Sequence, residues 1–246
     1  DSGTWVHQIN GFPSIGVMRI ELATAPDNDS VAYAVAQTSA SSYGIRGIWK
    51  TTNKGQTWDT LPNPGGNHAW AKKQAWYDLA IAVDPHDENT IALGGWGLWR
   101  SKDGGNTWMQ LSHGKIDSFA YQYVHVDQHE IIFDGSDTVY FGNDGGIWQC
   151  KNFTAPFPDI YDHDYGYRVT QFYGLDISQT SGSNIVIGGT QDNGSLNMMQ
   201  SGISPFTKLS GADGAYSSVN YLNDSFMYTN KNSNGTFRIR DYGISN

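Results

Sequence analysis

The chain of 246 residues carries 38% hydrophobic residues, enough for a sizeable core, with 29 glycines, 13% aromatics and only 16% charged residues, a balance that favours a turn-rich β protein over a helical one. The net charge of -9, with 15 Lys and Arg dispersed along the sequence, removes the basic stripe of a nucleic-acid binder and disfavours anionic membranes. No apolar run reaches the roughly eighteen residues of a membrane-spanning helix, so membrane insertion is not expected.

In chain order, the first element is an outer strand in "SGTWVHQIN", starting at Thr4 and Trp5 within residues 1–10. From there the sequence repeats. Gly47-Ile48-Trp49, Gly97-Leu98-Trp99 and Gly146-Ile147-Trp148 align at steps of 50 and 49 residues, followed by weaker members at Gly194 and Gly235. Before each stands a pair of short apolar runs separated by a polar turn: "RIELATAPDNDSVAYAVA", "DLAIAVDPHDENTIALGG", "HEIIFDGSDTVYFGN", "GLDISQTSGSNIVIGGT" and "SSVNYLNDSFMYTN". Each unit therefore supplies strands a and b, a strand c opening at the Gly-aromatic step, and a strand d opening near a Thr-Trp pair. Four short strands per 40 to 50 residues is the pattern of a β-propeller blade. Blades are expected at 18–62, 77–112, 126–170, 171–210 and 216–240. Residues 1–10 either finish the fifth blade and close a ring, or the chain is a piece of a larger propeller, which is the favoured reading. A start at Asp1 rather than Met agrees with a processed or excised chain. The single cysteine, Cys150, has no internal disulfide partner and is expected to fill core.

Two stretches share one pattern: Thr51, Asn53, Gly55, Thr57 and Trp58 in "WKTTNKGQTW", and Ser101, Asp103, Gly105, Thr107 and Trp108 in "WRSKDGGNTW". This Asp-box, or BNR repeat, reads as a turn between strands c and d. The Asp or Asn accepts hydrogen bonds from turn amides, Gly takes positive φ, and Trp covers the blade. A calcium loop would need more oxygen ligands than the box supplies.

Through "DLAIAVDPHDENTIALGGWGLWRSKDGGNTW", "VHVDQHEIIFDGSDTVYFGNDGGIW" and "FYGLDISQTSGSNIVIGGTQDNGSL", the chain resembles secreted bacterial Asp-box proteins of the sortilin-like and xyloglucanase-like propeller group. The resemblance covers blades two to four. It implies an all-β propeller, an extracellular or cell-surface location, and either a glycoside hydrolase or a binding receptor.

In an up-and-down blade the a–b and c–d turns share one end, so ligands are sought at the other, among the b–c turns and the long d–a loops 63–78, 113–127 and 154–171. Candidates there are Asp78, His125, Asp127, His129, Asn143, Asp144, Gln191, Asp192 and Asp213, with Trp70, Trp76, Tyr77, Tyr121, Tyr123 and Tyr165 as aromatics that stack on a sugar or, the favoured reading, pack the loops onto the scaffold. Asp162 and Asp164 can also reach this end. Strand alternation is expected to put His125, Asp127 and His129 on one side, as a hydrogen-bonded polar plug or, in the alternative, a divalent-metal or acid–base site. No cofactor is expected. Arg19 loosely resembles the strand-opening arginine of sialidases, without their following Pro, and a structural or ion-pair role is the favoured reading. The favoured function is a binding or scaffold propeller for a polysaccharide or protein ligand. The alternatives are a xyloglucanase-like hydrolase using two loop-face carboxylates, a purely structural module and, more weakly, a sialidase.

Overall fold

The computed structural model describes residues 3–4, 10–40, 44–68, 70–113, 122–166, 170–200, 206–231 and 236–239. The chain divides into two compact units, Asp1–Gly166 and Tyr167–Asn246. Among the described residues no helix is long and apolar enough to cross a membrane.

The first unit holds three four-stranded antiparallel sheets, each with its strands side by side in chain order. These are β1 (Val17–Ala25), β2 (Asn28–Thr38), β3 (Ile45–Thr51) and β4 (Asp59–Leu61); then β5 (Ala80–Asp84), β6 (Asp87–Gly94), β7 (Leu98–Ser101) and β8 (Met109–Gln110). A short parallel pair, β9 (Ser112–His113) and β10 (Gln122–Tyr123), precedes β11 (Gln128–Phe133), β12 (Val139–Asn143), β13 (Gly146–Cys150) and β14 (Ile160–Asp162). That pair lies in what the sequence suggests is plain loop. The second unit has one four-stranded sheet, β15 (Phe172–Ile177), β16 (Val186–Thr190), β17 (Gly194–Met198) and β18 (Thr207–Ser210), and a three-stranded one, β19 (Gly214–Val219), β20 (Met227–Lys231) and β21 (Thr236–Ile239). The fold is an all-β propeller of four-stranded antiparallel blades.

Burial explains the near-continuous apolar runs. In β2, Val31, Tyr33 and Val35 enter a layer shared with Leu79, Ile91 and Leu93, while Ala34 and Ala36 face the other way onto Trp49. In β6, Ile91 and Leu93 join the first layer, and Ala92 joins Phe141 and Phe153 in the next. A strand sandwiched between two blades has no solvent face, so the period-2 polar alternation disappears. The innermost strands β1, β5 and β11 stand in sequence. Cys150 is a buried free thiol in the layer with Phe141 and Phe153. In the second unit the layer is smaller, with Ile185, Ile187, Val219 and Met227.

The two decapeptide turns close locally. After β7, the Ser101 hydroxyl donates to Asp103 Oδ1 (2.8 Å) and accepts from the Gly105 amide (2.8 Å). The Thr107 amide and hydroxyl donate to Asp103 at 2.8 and 2.6 Å. After β3, Thr51, Asn53, Gly55 and Thr57 make the matching set, with Thr57 N on Asn53 Oδ1 at 2.9 Å and Gly55 N on Thr51 Oγ1 at 3.0 Å. Gly105 has φ 89°, a conformation costly for a residue with Cβ. Trp108 donates its indole N–H to the Pro62 carbonyl (2.9 Å), tying blade two to blade one, and Trp58 packs edge-on against Phe12.

Candidate functional site

At the opposite end of the first unit, three chain segments converge. The segment before β5 folds into two overlapping turns, with Tyr77 N and Asp78 N both donating to the Gln74 carbonyl at 2.7 and 3.0 Å. These turns set Trp76 outward at 57% exposure, Tyr77 half-buried and Asp78 fully buried. Arg19 on β1 secures them from beneath. Its guanidinium donates to the carbonyls of Tyr77 (2.7 Å), Leu79 (2.9 Å) and Trp76 (3.4 Å) and to Glu21 Oε1 (2.8 Å). A cation so occupied holds backbone; it is not presented to a ligand carboxylate, which removes the feature that suggested a sialidase.

The second segment leads into β11. Asp127 is left-handed at φ 64°, and Gln74 Nε2 donates to its Oδ1 (3.0 Å). Gln128, fully buried, anchors the bend through its amide on the Gly95 carbonyl (2.9 Å) and its Nε2 on the His125 carbonyl (2.6 Å). The third segment is the β12–β13 turn. Its Asp144 accepts from the Tyr77 hydroxyl, 3.0 and 2.9 Å from the two oxygens, and pairs with His129 Nε2 at 2.6 Å. Tyr77 and His129 also meet edge to face, ring centroids 4.8 Å apart. Asp144 keeps a tenth of its side chain exposed and His129 about a third.

The carboxylates differ in electrostatics. Neither oxygen of Asp78 meets a donor from another residue in hydrogen-bond geometry among the described residues; its polar neighbours are its own backbone amide and the Asp127 carboxylate. Burial first, then the charge of Asp127 and the bond to it, push Asp78 up to about 9, opposed by its own backbone amide and then by the Arg19 charge. Asp127 is raised too, by burial and then by Asp144, against the hydrogen bonds from Asp78 and Gln74. The cluster thus combines a carboxyl that keeps its proton at neutral pH with a carboxylate at the lip.

Several expectations are corrected. Trp70 is buried at 6% exposure and belongs to the core, donating its indole N–H to Asn63 Oδ1; it packs onto Gly95, where a Cβ would stand 2.7 Å from the ring. Asp78 and Asp127 are buried beneath the face rather than displayed on it. His125, Asp127 and His129 do not alternate along one strand, because β11 starts at Gln128 and the left-handed Asp127 turns the chain. His125 Nδ1 lies against the Val126 carbonyl (3.0 Å), and only His129 reaches Asp144. Among the described residues no three His, Cys, Asp or Glu side chains converge as a metal site. Asn143 braces the turn, its Oδ1 accepting from Gly145 N at 3.0 Å. Asp162 caps Asp164, and Asp164 accepts from Ile147 N, so both are used in the strand ends. Tyr165 is fully exposed, and Tyr123 packs edge-on against Trp148. Trp5 and Tyr121 lie outside the described residues.

In the second unit Asp192, left-handed at φ 58°, donates its amide to Asp213 Oδ1 (2.8 Å), and the Gln191 amide donates to the Gln171 carbonyl. These three residues form a separate polar turn. Gln74 and Gln128 are not singled out by the sequence, and for Arg19 the expected structural role is met by backbone carbonyls that the sequence does not name. Gln128 lies inside the H-V-D-Q-H stretch, and its position next to two histidines was the available signal.

No protein-family profile matches the chain. A xyloglucanase of Acetivibrio thermocellus is 31% identical over 129 residues, covering 47% of this chain and 14% of that enzyme. A xyloglucanase of Paenibacillus sp is 32% identical over 126 residues, covering 48% and 11%. About half of the chain is therefore homologous to xyloglucanases, and the chain spans only 11% to 14% of the length of those relatives. Among solved structures, a xyloglucanase from Xanthomonas campestris aligns over 95% of this chain and 38% of its own, with 17% identity and a TM-score of 0.45.

Proposed function

We propose that the end of the propeller bearing the b–c turns binds a polysaccharide and serves glycoside hydrolysis of the xyloglucanase kind, in an extracellular protein. The observation that carries this reading is Asp144, held by Tyr77 and His129 at the lip of the cluster, with exposed Trp76 packed against Tyr77 at a centroid distance of 5.5 Å. Hydrolysis of a glycosidic bond needs a carboxylate to activate water or stabilise the oxocarbenium-like transition state, and a second to protonate the leaving oxygen. Asp144 fits the first role, and an exposed indole offers a sugar ring a flat apolar platform. The sequence likeness to xyloglucanases over half the chain supports the same direction.

The test is release of reducing ends from xyloglucan, with a panel of other polysaccharides alongside. Asp144→Asn is expected to lower release by at least about 100-fold, as loss of a general base does, with circular dichroism unchanged. Release equal to wild type in that variant rules Asp144 out. A second reading, a binding module without turnover, rests on the burial of Asp78 and Asp127, which leaves the cluster with one accessible carboxylate. Saturable polysaccharide or protein binding with no reducing ends from the wild-type protein is the result that selects it.

A further inference from the structure

We propose that Asp78 and Asp127 share one proton, and that this acid–carboxylate bridge is the latch that fixes the floor of the loop-face site. It requires no assumption about hydrolysis. Asp78 is fully buried, and neither of its oxygens meets a donor from another residue in hydrogen-bond geometry among the described residues; its own backbone amide is the one N–H that acts on it. Leaving a buried carboxylate both charged and unbonded is among the most costly arrangements a protein can hold. The neighbour that can satisfy Asp78 is Asp127, another acceptor, so the contact is favourable only if a proton lies between the two.

The side chains around the pair are engaged elsewhere. On β1, Arg19 spends its donors on Glu21 and on the carbonyls of Trp76, Tyr77 and Leu79, none of them on Asp78. On the segment before β5, the Tyr77 hydroxyl points to Asp144, and Gln74 donates to Asp127. From the approach to β11, His125 acts on Asp127 through its charge and His129 is turned to Asp144. Asp144, in the β12–β13 turn, adds a like charge that disfavours ionising Asp127. Burial first, then the charge of Asp127 and the bond to it, push Asp78 up to about 9, against its own backbone amide and the Arg19 charge.

The bridge has a structural purpose. Asp127 stands in a left-handed conformation that residues other than glycine seldom hold unassisted, and the Gln128 amide bond to Gly95 follows from that bend. Gln74 holds one oxygen of Asp127, and the Asp78 proton secures the carboxylate from below. Loss of the proton places two like charges in contact and removes that support.

Infrared difference spectroscopy on the whole chain tests the inference directly. At pH 7 the wild-type protein is expected to show a protonated-carboxyl stretch that shifts in Asp127→Asn, is missing in Asp78→Asn, and titrates away near pH 9. In parallel, the Gln74 side-chain amide signals in NMR are expected to move through the same titration. In Asp78→Asn they should stay put, because the Asn Nδ2 donates to Asp127 at every pH. No protonated-carboxyl band at pH 7 in the wild type overturns the shared proton. A band that titrates while the Gln74 signals stay still overturns the latch. Should Asp78→Asn fail to fold, the wild-type titration and the Asp127→Asn shift decide both points.

Discussion

Blade two carries an aspartate at each end, and the two are used in opposite ways. In the turn after β7, Asp103 is exposed and takes hydrogen bonds from the Thr107 amide and hydroxyl and the Ser101 hydroxyl. At the other end, just before β5, Asp78 is buried and receives none from another residue among the described residues. The slight burial of Asp103 would raise its pKa, but the Thr107 and Ser101 bonds outweigh that and hold it below the usual carboxylate range. Burial dominates at Asp78 and drives it the other way. A carboxylate surrounded by donors completes a turn and has little left for a ligand; one placed among apolar groups and another carboxylate holds a proton. The difference separates the structural end of the blade from the end where chemistry is to be sought.

The largest expected effect that sharpens this contrast is the pH dependence of stability. Between the ordinary value of 3.8 and about 9 the native state keeps the Asp78 proton that the unfolded chain has lost. The native state then binds more protons, so stability falls as pH rises through that window, by up to about 1.4 kcal/mol per pH unit. Urea unfolding of Asp78→Asn should show this downward slope flattened and stability at neutral pH increased. Asp103 has the reverse sign: its folded pKa is depressed, so its contribution is present above the unfolded value and disappears as the solution is acidified through the folded one. Asp103→Asn should therefore flatten the acid limb and leave the alkaline limb as it was. Identical slopes in the two variants would break the comparison.

A smaller effect is expected at the turn backbone. Gly105→Ala puts a Cβ at φ 89° and 2.6 Å from a Leu61 methyl, and should cost about 1–3 kcal/mol in denaturant unfolding. Polysaccharide binding at the far end of the blade should be unaffected. The smallest change in stability is expected for Trp76→Ala, within about 0.5 kcal/mol because the ring is mostly exposed. Isothermal titration should instead show polysaccharide affinity lowered by about tenfold, the value of one lost stacking contact.

The blade was legible in the residues because its determinants are local and repeated. Paired apolar runs specify strands, and the turn of Ser101, Asp103, Gly105 and Thr107 is built from side-chain to backbone bonds spanning two and four residues. Such bonds depend on spacing alone, and spacing is visible in a string of letters. The candidate site was only partly visible. The sequence puts His129, Asp144 and Tyr77 at the end opposite the decapeptide turns, and the structure brings them together. Trp70 was misplaced because an indole on a loop and an indole in the core look alike until Gly95 is seen beneath it.

By itself the sequence determined an all-β chain, the repeated strand pattern and, in the first two blades, the end closed by its own turn chemistry. Only the tertiary structure decided that Arg19, Gln74, Asp78, Asp127 and Asp144 share one neighbourhood, and that Asp127 bends the chain instead of extending β11. The physical reason is range. Hydrogen bonds within a turn are set by neighbours a few residues away, whereas burial and like-charge contact depend on which distant segments the packing of the blades carries to the same place.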